Sequence, residues 1–138
     1  MKKIKVAYVC IHNSCRSQMA EAITNVVAGD FFEAYSAGTN PKPSINQDAV
    51  LTVKELYDID MEETQTPKAL HRLPDNLDLL ITMGCFEECP HIPAKHREDW
   101  GLSDPTGKPN TEFQNTAKKI ESRIRSLRKR IEEGEIDV

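Results

Sequence analysis

The sequence predicts an α/β fold, a three-layer α/β/α sandwich around a four-stranded parallel sheet. Three observations carry that expectation. Short β-rich apolar runs alternate with segments of helical periodicity. The run from Leu77 to Met83 is almost continuously apolar, as a parallel strand covered on both faces requires. Finally, 138 residues with 38% hydrophobic side chains suffice for one core and leave no room for a second, so residues 1–138 read as one domain.

Each element follows in chain order. Ile4 to Val9 reads as the first strand; it runs into a polar loop and then a helix with Met19, Ile23, Val26 and Val27 on one face. Gly29 falls where that helix would end in a left-handed turn, and Phe31 to Ala37 makes a second strand before Gly38. Ser44 followed by Gln47 reads as a capping box, opening a helix that carries Ile45, Ala49, Val53 and Leu56. Leu77 to Met83 is the third strand, ending at Gly84-Cys85. A short extended piece around Trp100 leads to the loop Ser103-Asp104-Pro105-Thr106-Gly107. A long helix follows, in which Phe113, Ala117, Ile120, Ile124, Leu127 and Ile131 recur at alternating spacings of four and three. In such a fold ligands gather at the carboxyl ends of strands, where Cys10 and Cys85 both fall.

The charge balance narrows the partners. With 22 acidic residues against 18 Lys and Arg, the summed field repels nucleic acid and anionic lipid, so neither is expected as a partner. Lys118, Lys119, Arg123, Arg125, Arg128, Lys129 and Arg130 crowd the last helix, but no aromatics are interleaved. They read as a solvated face that complements the helix dipole. The apolar run Val6 to Ile11 is interrupted at once by His12, Asn13 and Arg16, too short for a secretory or spanning segment. A cytoplasmic location is the expectation. In that reducing compartment the four cysteines, Cys10, Cys15, Cys85 and Cys89, read as reactive thiols or metal ligands before structural disulfides.

Residues 10–17 decide between those readings. Cys10, Ile11, His12, Asn13, Ser14, Cys15, Arg16 and Ser17 lie after a strand and before a helix, so their backbone N–H groups can converge on a tetrahedral anion. The helix dipole adds positive potential, and the planar fork of Arg16 can close over two oxygens. The same field should stabilise the Cys10 thiolate, aiming a nucleophile at the central atom of the anion. Asn13 tolerates a left-handed backbone and can pin the loop with its amide, while Ser17 can donate to the thiolate.

Cys10-x5-Arg16-Ser17 after an N-terminal strand, with Asp104-Pro105 far downstream, resembles the low-molecular-weight tyrosine phosphatase superfamily. One branch, the thioredoxin-coupled arsenate reductases, is similar to this chain from end to end. The shared stretches are Asn-Ser-Cys-Arg-Ser-Gln-Met-Ala-Glu-Ala from Asn13 to Ala22, Ser36-Ala37-Gly38, and Trp100-Gly101-Leu102-Ser103-Asp104-Pro105. The resemblance implies a catalytic set of Cys10, Arg16, Cys85, Cys89 and Asp104. In it Cys10 attacks arsenate, Cys85 attacks the Cys10 sulfur so that arsenite leaves, and Cys89 resolves to a Cys85–Cys89 disulfide that thioredoxin reduces. Asp104 would protonate a departing oxygen. The alternative is a phosphatase of the same superfamily, acting through a phosphoenzyme on Cys10. Two features favour the reductase: phosphate ester hydrolysis leaves Cys85 and Cys89 without a task, and Asp104-Pro105-Thr106-Gly107-Lys108 holds no aromatic ring to stack on a phosphotyrosine.

Arsenate is thus the expected substrate, phosphate or sulfate competing oxyanions, and thioredoxin the reductant of a monomer that needs no cofactor. Some members of the superfamily bind potassium through residues matching Asn13, Glu21 and Ser36. Gln65 and Pro67 stand where the acidic partner would be, and no metal site is predicted. His12 occupies a position usually held by a small Gly. Cys85, Cys89, His91 and His96 are also zinc-ligand types, but zinc fingers separate their ligand pairs by about twelve or more residues, and Pro90 and Pro93 stiffen this stretch.

Overall fold

The computed structural model describes residues 2–84 and 92–138. Its elements are β1 (Ile4–Cys10), α1 (Arg16–Val27), β2 (Phe32–Gly38), α2 (Gln47–Tyr57), α3 (Met61–Thr64), a 3-10 turn (Leu70–Arg72), β3 (Leu79–Thr82), β4 (His96–Asp99) and α4 (Asn110–Glu132). All four strands are parallel, in the order β2-β1-β3-β4. The chain leaves β1 toward one edge and returns past it to β3, so the topological switch lies between β1 and β3. In parallel sheets that crevice is where ligands bind.

The strands divide their side chains between two faces at a period of two. Val6, Tyr8, Cys10, Leu79 and Ile81 enter the larger core with α1, α2, α3 and α4. Ala7, Val9 and Leu80 face the other way, where among the described residues Leu70, Leu73, Ile92 and Ala94 pack on them. Among the described residues this second outer layer is built from a 3-10 turn and extended chain. Each large aliphatic side chain fully withdrawn from water contributes about 1.5–3 kcal/mol, so the α1–α4 face carries most of the hydrophobic stabilisation.

Several boundaries depart from the expected ones for local reasons. The N-cap of α2 is Asn46, whose side chain accepts from the N–H groups of Asp48 and Ala49; Ser44 plays no part in it. Gly29 does not adopt a left-handed conformation. A Cβ there would lie 2.6 Å from the carbonyl oxygen of Asn25, so it is close approach that demands glycine. Val26 and Leu56 are exposed, while Val27 and Tyr57 turn inward. Both helices continue their apolar stripe four residues beyond Ile23 and Val53 rather than three. β3 is shorter than its apolar run, and β4 ends just before Trp100, which is buried against Tyr8 with ring centroids 5.5 Å apart.

The basic face of α4 is partly engaged. Arg130 binds Glu98 of β4 through both terminal nitrogens, at 2.8 and 3.1 Å. Arg128 reaches Asp30 at 3.0 Å and lies over the Phe31 ring. Among the described residues no helix is long and apolar enough to cross a membrane.

Candidate functional site

The carboxyl end of β1 carries Cys10, and α1 begins six residues later with no side chain capping its first turn. The helix thus presents its positive end to the loop between them. Asn13 adopts φ 48°, a left-handed conformation that asparagine tolerates and most residues do not. This turns the loop back on itself, and the Asn13 N–H points at Cys10 Sγ, 3.2 Å away. Cys10 Sγ also lies 2.9 Å from Ser17 Oγ. Asn13 Nδ2 donates to that same hydroxyl at 2.8 Å, which leaves the Ser17 proton free to be given to the sulfur.

A buried polar network fixes Asn13 in turn. Its Oδ1 accepts from Gln18 Nε2 at 3.0 Å and from the Lys68 N–H at 2.9 Å. Gln65 Nε2 donates to Gln18 Oε1 at 2.7 Å. Asn13, Ser17 and Gln18 are fully buried, so each broken bond would strand a polar group away from water. Alongside, Glu21 accepts from Ser36 Oγ at 2.6 Å and has the Lys68 ammonium 3.6 Å away. Burial pushes the Glu21 carboxyl above its ordinary range, against the opposing pull of Lys68 and Ser36. Gly38, paired in register with Cys10, completes the support. A Cβ there would meet the Ile11 carbonyl oxygen at 2.6 Å and the Asn13 nitrogen at 2.9 Å.

Above the sulfur lies a cavity of about 210 Å³ walled by Cys10, Ile11, His12, Ser14, Cys15, Arg16, Lys42, Asp104 and Thr106. It suits a small anion; sites for drug-sized ligands run to about 300–1,000 Å³. No Phe, Tyr or Trp stands in that wall among the described residues. Arg16 Nη1 donates to the main-chain oxygens of Met83 at 2.5 Å and Leu102 at 2.6 Å. One guanidinium therefore ties α1 to the end of β3 and to the approach to Asp104. Asp104 Oδ1 accepts from the Thr106 hydroxyl at 2.7 Å and the Thr106 N–H at 3.0 Å. Burial raises the Asp104 carboxyl, but the Thr106 hydrogen bonds, Arg16 and Lys42 outweigh it and hold the group below the usual carboxylate range. Cys15 is the opposite case: burial, with the Asp104 charge behind it, pushes its thiol up to about 12, so it stays protonated.

Of the residues singled out in the sequence, Cys10, Ile11, His12, Ser14, Cys15, Arg16 and Asp104 line this one cavity, and Asn13 and Ser17 lie beneath it. Cys85 and Cys89 fall outside the described residues, as does His91. His96 is in β4 with Nε2 3.1 Å from Glu98. β3 runs toward Cys85 beside β1: the Met83 N–H donates to Val9 O at 3.1 Å, and Gly84 N–H to Asp99 Oδ1 at 2.6 Å. Sequence reasoning missed Lys42 and Thr106 in the cavity wall. Thr106 had a local signal, a hydroxyl two residues after an aspartate; Lys42, between two prolines, had none.

A loop carrying Cys10 and Arg16 between the first strand and first helix of a 2-1-3-4 parallel sheet defines a class of α/β proteins with a thiol and a guanidinium at one small cavity. The chain belongs to the low molecular weight phosphotyrosine protein phosphatase family, whose model matches residues 5–136. Several of the proteins it resembles are arsenate reductases. It is 34% identical over 130 residues to arsenate reductase 2 of Staphylococcus saprophyticus, a match that spans 92% of this chain and 98% of that one. An arsenate reductase solved in its phosphate-binding state superposes with a TM-score of 0.79 at 28% identity, over 90% of this chain and 95% of that one. A thioredoxin-dependent arsenate reductase of Corynebacterium glutamicum superposes with a TM-score of 0.75 at 33% identity, over 96% of this chain and 63% of the other.

Proposed function

We propose that this protein is an arsenate reductase that converts arsenate to arsenite through a relay of Cys10, Cys85 and Cys89, with thioredoxin as the final reductant. The observation that carries the reading is the meeting of three features at one point. Cys10 Sγ opens into a small cavity, Arg16 stands in its wall, and the same Arg16 holds the main chain at Met83, two residues before Cys85.

Arsenate enters with its oxygens toward the loop N–H groups and Arg16. Ser17 and the Asn13 N–H stabilise the Cys10 thiolate, which attacks arsenic; an S–As bond forms and one oxygen leaves as water. Asp104 is ionised at neutral pH in the unliganded site. A dianion arriving beside it raises its proton affinity, so it takes up one proton from solvent and delivers it to the departing oxygen, which leaves as water with the proton that oxygen already carried. Cys85 then attacks the Cys10 sulfur. The S–As electron pair stays with arsenic, which leaves as arsenite in the +3 state, and a Cys10–Cys85 disulfide remains. Cys89 attacks Cys85, releasing the Cys10 thiolate, and thioredoxin reduces the Cys85–Cys89 disulfide. The reducing cytoplasm is the compartment such a relay needs. Phosphate and sulfate share the tetrahedral shape of arsenate and compete for the loop.

The test is arsenate-dependent NADPH oxidation in the presence of thioredoxin and thioredoxin reductase, run beside aryl phosphate hydrolysis on the same protein. Cys10→Ser is expected to abolish both activities. Cys89→Ser is expected to stop thioredoxin-coupled turnover while sparing a single arsenite release per enzyme. Fast aryl phosphate hydrolysis with no arsenate turnover would establish the phosphatase instead, working through a phosphoenzyme on Cys10.

A further inference from the structure

The cavity wall contains a cation that the anion-loop motif does not supply. Lys42 lies on the segment between β2 and α2, which is stitched to the loop by three main-chain hydrogen bonds: Asn40 N–H to Ile11 O at 2.8 Å, Lys42 N–H to His12 O at 3.0 Å, and Asn46 N–H to Ser14 O at 2.7 Å. His12 Nδ1 meets Asn40 O at 3.2 Å, adding a side-chain tie to the same segment. The backbone of Lys42 is thus held against the loop, and the residue lines the cavity together with Cys10, Arg16 and Asp104. Lys42 forms no ion pair among the described residues. Its charge is felt across the site, contributing to the lowered proton affinity of Asp104.

The charge balance gives that cation a task. A dianion entering this site meets the Asp104 carboxylate and the electron-rich sulfur of Cys10. Against them stand Arg16 and the roughly half charge of a helix N-terminus. Placing a carboxylate, an electron-rich sulfur and a doubly charged ligand around one guanidinium is unfavourable in a partly enclosed cavity, where charges are screened less than in water.

We propose that Lys42 is a substrate-binding residue of this site, whose ammonium meets the bound oxyanion alongside Arg16 and selects its dianionic form. The inference rests on the reading of the Cys10 loop as an oxyanion site. It makes Lys42 a determinant of which anions the enzyme holds: a phosphate or arsenate dianion gains from the second cation, and a singly charged anion gains less.

Protection of Cys10 from iodoacetamide by inorganic phosphate tests this without any redox partner. Alkylation rates are measured against phosphate concentration for the wild type, Lys42→Gln and Lys42→Arg, each checked by thermal melting. Lys42→Gln is expected to raise the half-protecting phosphate concentration by roughly five- to tenfold, in line with loss of one partly exposed charge-assisted contact. Lys42→Arg should recover most of that loss, and the salt dependence of protection should be shallower in Lys42→Gln. In turnover the loss should fall on KM for arsenate more than on kcat. Equal protection in the wild type and Lys42→Gln would overturn this inference alone. Failure of phosphate to protect the wild-type thiol would overturn the oxyanion reading, and Lys42 with it.

Discussion

At the scale of single residues, the site is a chain of dependencies that ends on one sulfur. Cys10 depends on Ser17, Ser17 on Asn13, and Asn13 on Gln18 and the Lys68 main chain. Ser17→Ala removes the hydroxyl next to the sulfur and leaves Asn13 Nδ2 without its acceptor. The expected result is a fall of roughly ten- to a hundredfold in kcat/KM for arsenate, with phosphate protection of Cys10 far less affected. Steady-state kinetics and the alkylation assay separate the two effects, and equal losses in both would mean that Ser17 shapes the anion site as a whole. Most of this constellation was legible in eight consecutive residues, because an anion loop writes its parts in sequence order. Gln18, Gln65 and Lys68 were not. Gln65 and Lys68 act through tertiary hydrogen bonds spanning 47 to 55 positions along the chain, Gln18 joins Gln65 to Asn13 five residues away, and each residue type is unremarkable by itself.

Among the elements, the junction of α4 and β4 is the one with the clearest electrostatic signature. Burial raises the Glu98 carboxyl, but hydrogen bonds from Arg130, Trp100 and His96 reverse that and hold it at about 2, below the 4.5 of a free glutamate. A carboxyl lowered on folding stabilises the folded state above the unfolded value and loses that contribution as pH falls through the folded one. The wild type should therefore lose about 1–3 kcal/mol between pH 4.5 and 2 from this group, after allowance for its partial exposure. Glu98→Gln is expected to be less stable at pH 7 and to show a shallower decline in acid, read from melting temperatures across that range. The positions of the longer elements followed from apolar periodicity, whereas their ends did not, and the short α3 and 3-10 turn were not foreseen. Asn46 rather than Ser44 caps α2 because the turn geometry, invisible in a capping-box pattern, brings the Asn46 oxygen to two N–H groups at once. Helix stripes that continue at four residues instead of three left Val26 and Leu56 outside.

For the whole molecule, the arrangement of the sheet explains why residues so far apart in sequence reach one place. β1 and β3 are neighbours, and their carboxyl ends deliver Cys10 and the chain leading to Cys85 to the same edge of the fold. That juxtaposition followed from reading two parallel strands, although strand order was not legible, since periodicity says which face is buried and nothing about which strand is next. Large apolar side chains at the surface, Val26, Leu51 and Leu56 among the described residues, lie on α1 and α2 alone. Three half-exposed aliphatics fall short of the contiguous apolar surface a stable dimer buries. Sedimentation equilibrium at micromolar concentration should return the mass of one chain; a concentration-dependent dimer mass would contradict this. The Arg16 bridge also bears on how such a site changes over generations. Its acceptors at 83 and 102 are main-chain oxygens, which every residue type provides. The aim of the guanidinium is inherited with the path of the backbone, so the side chains at both positions can drift with the core around them while Arg16 keeps its bearing.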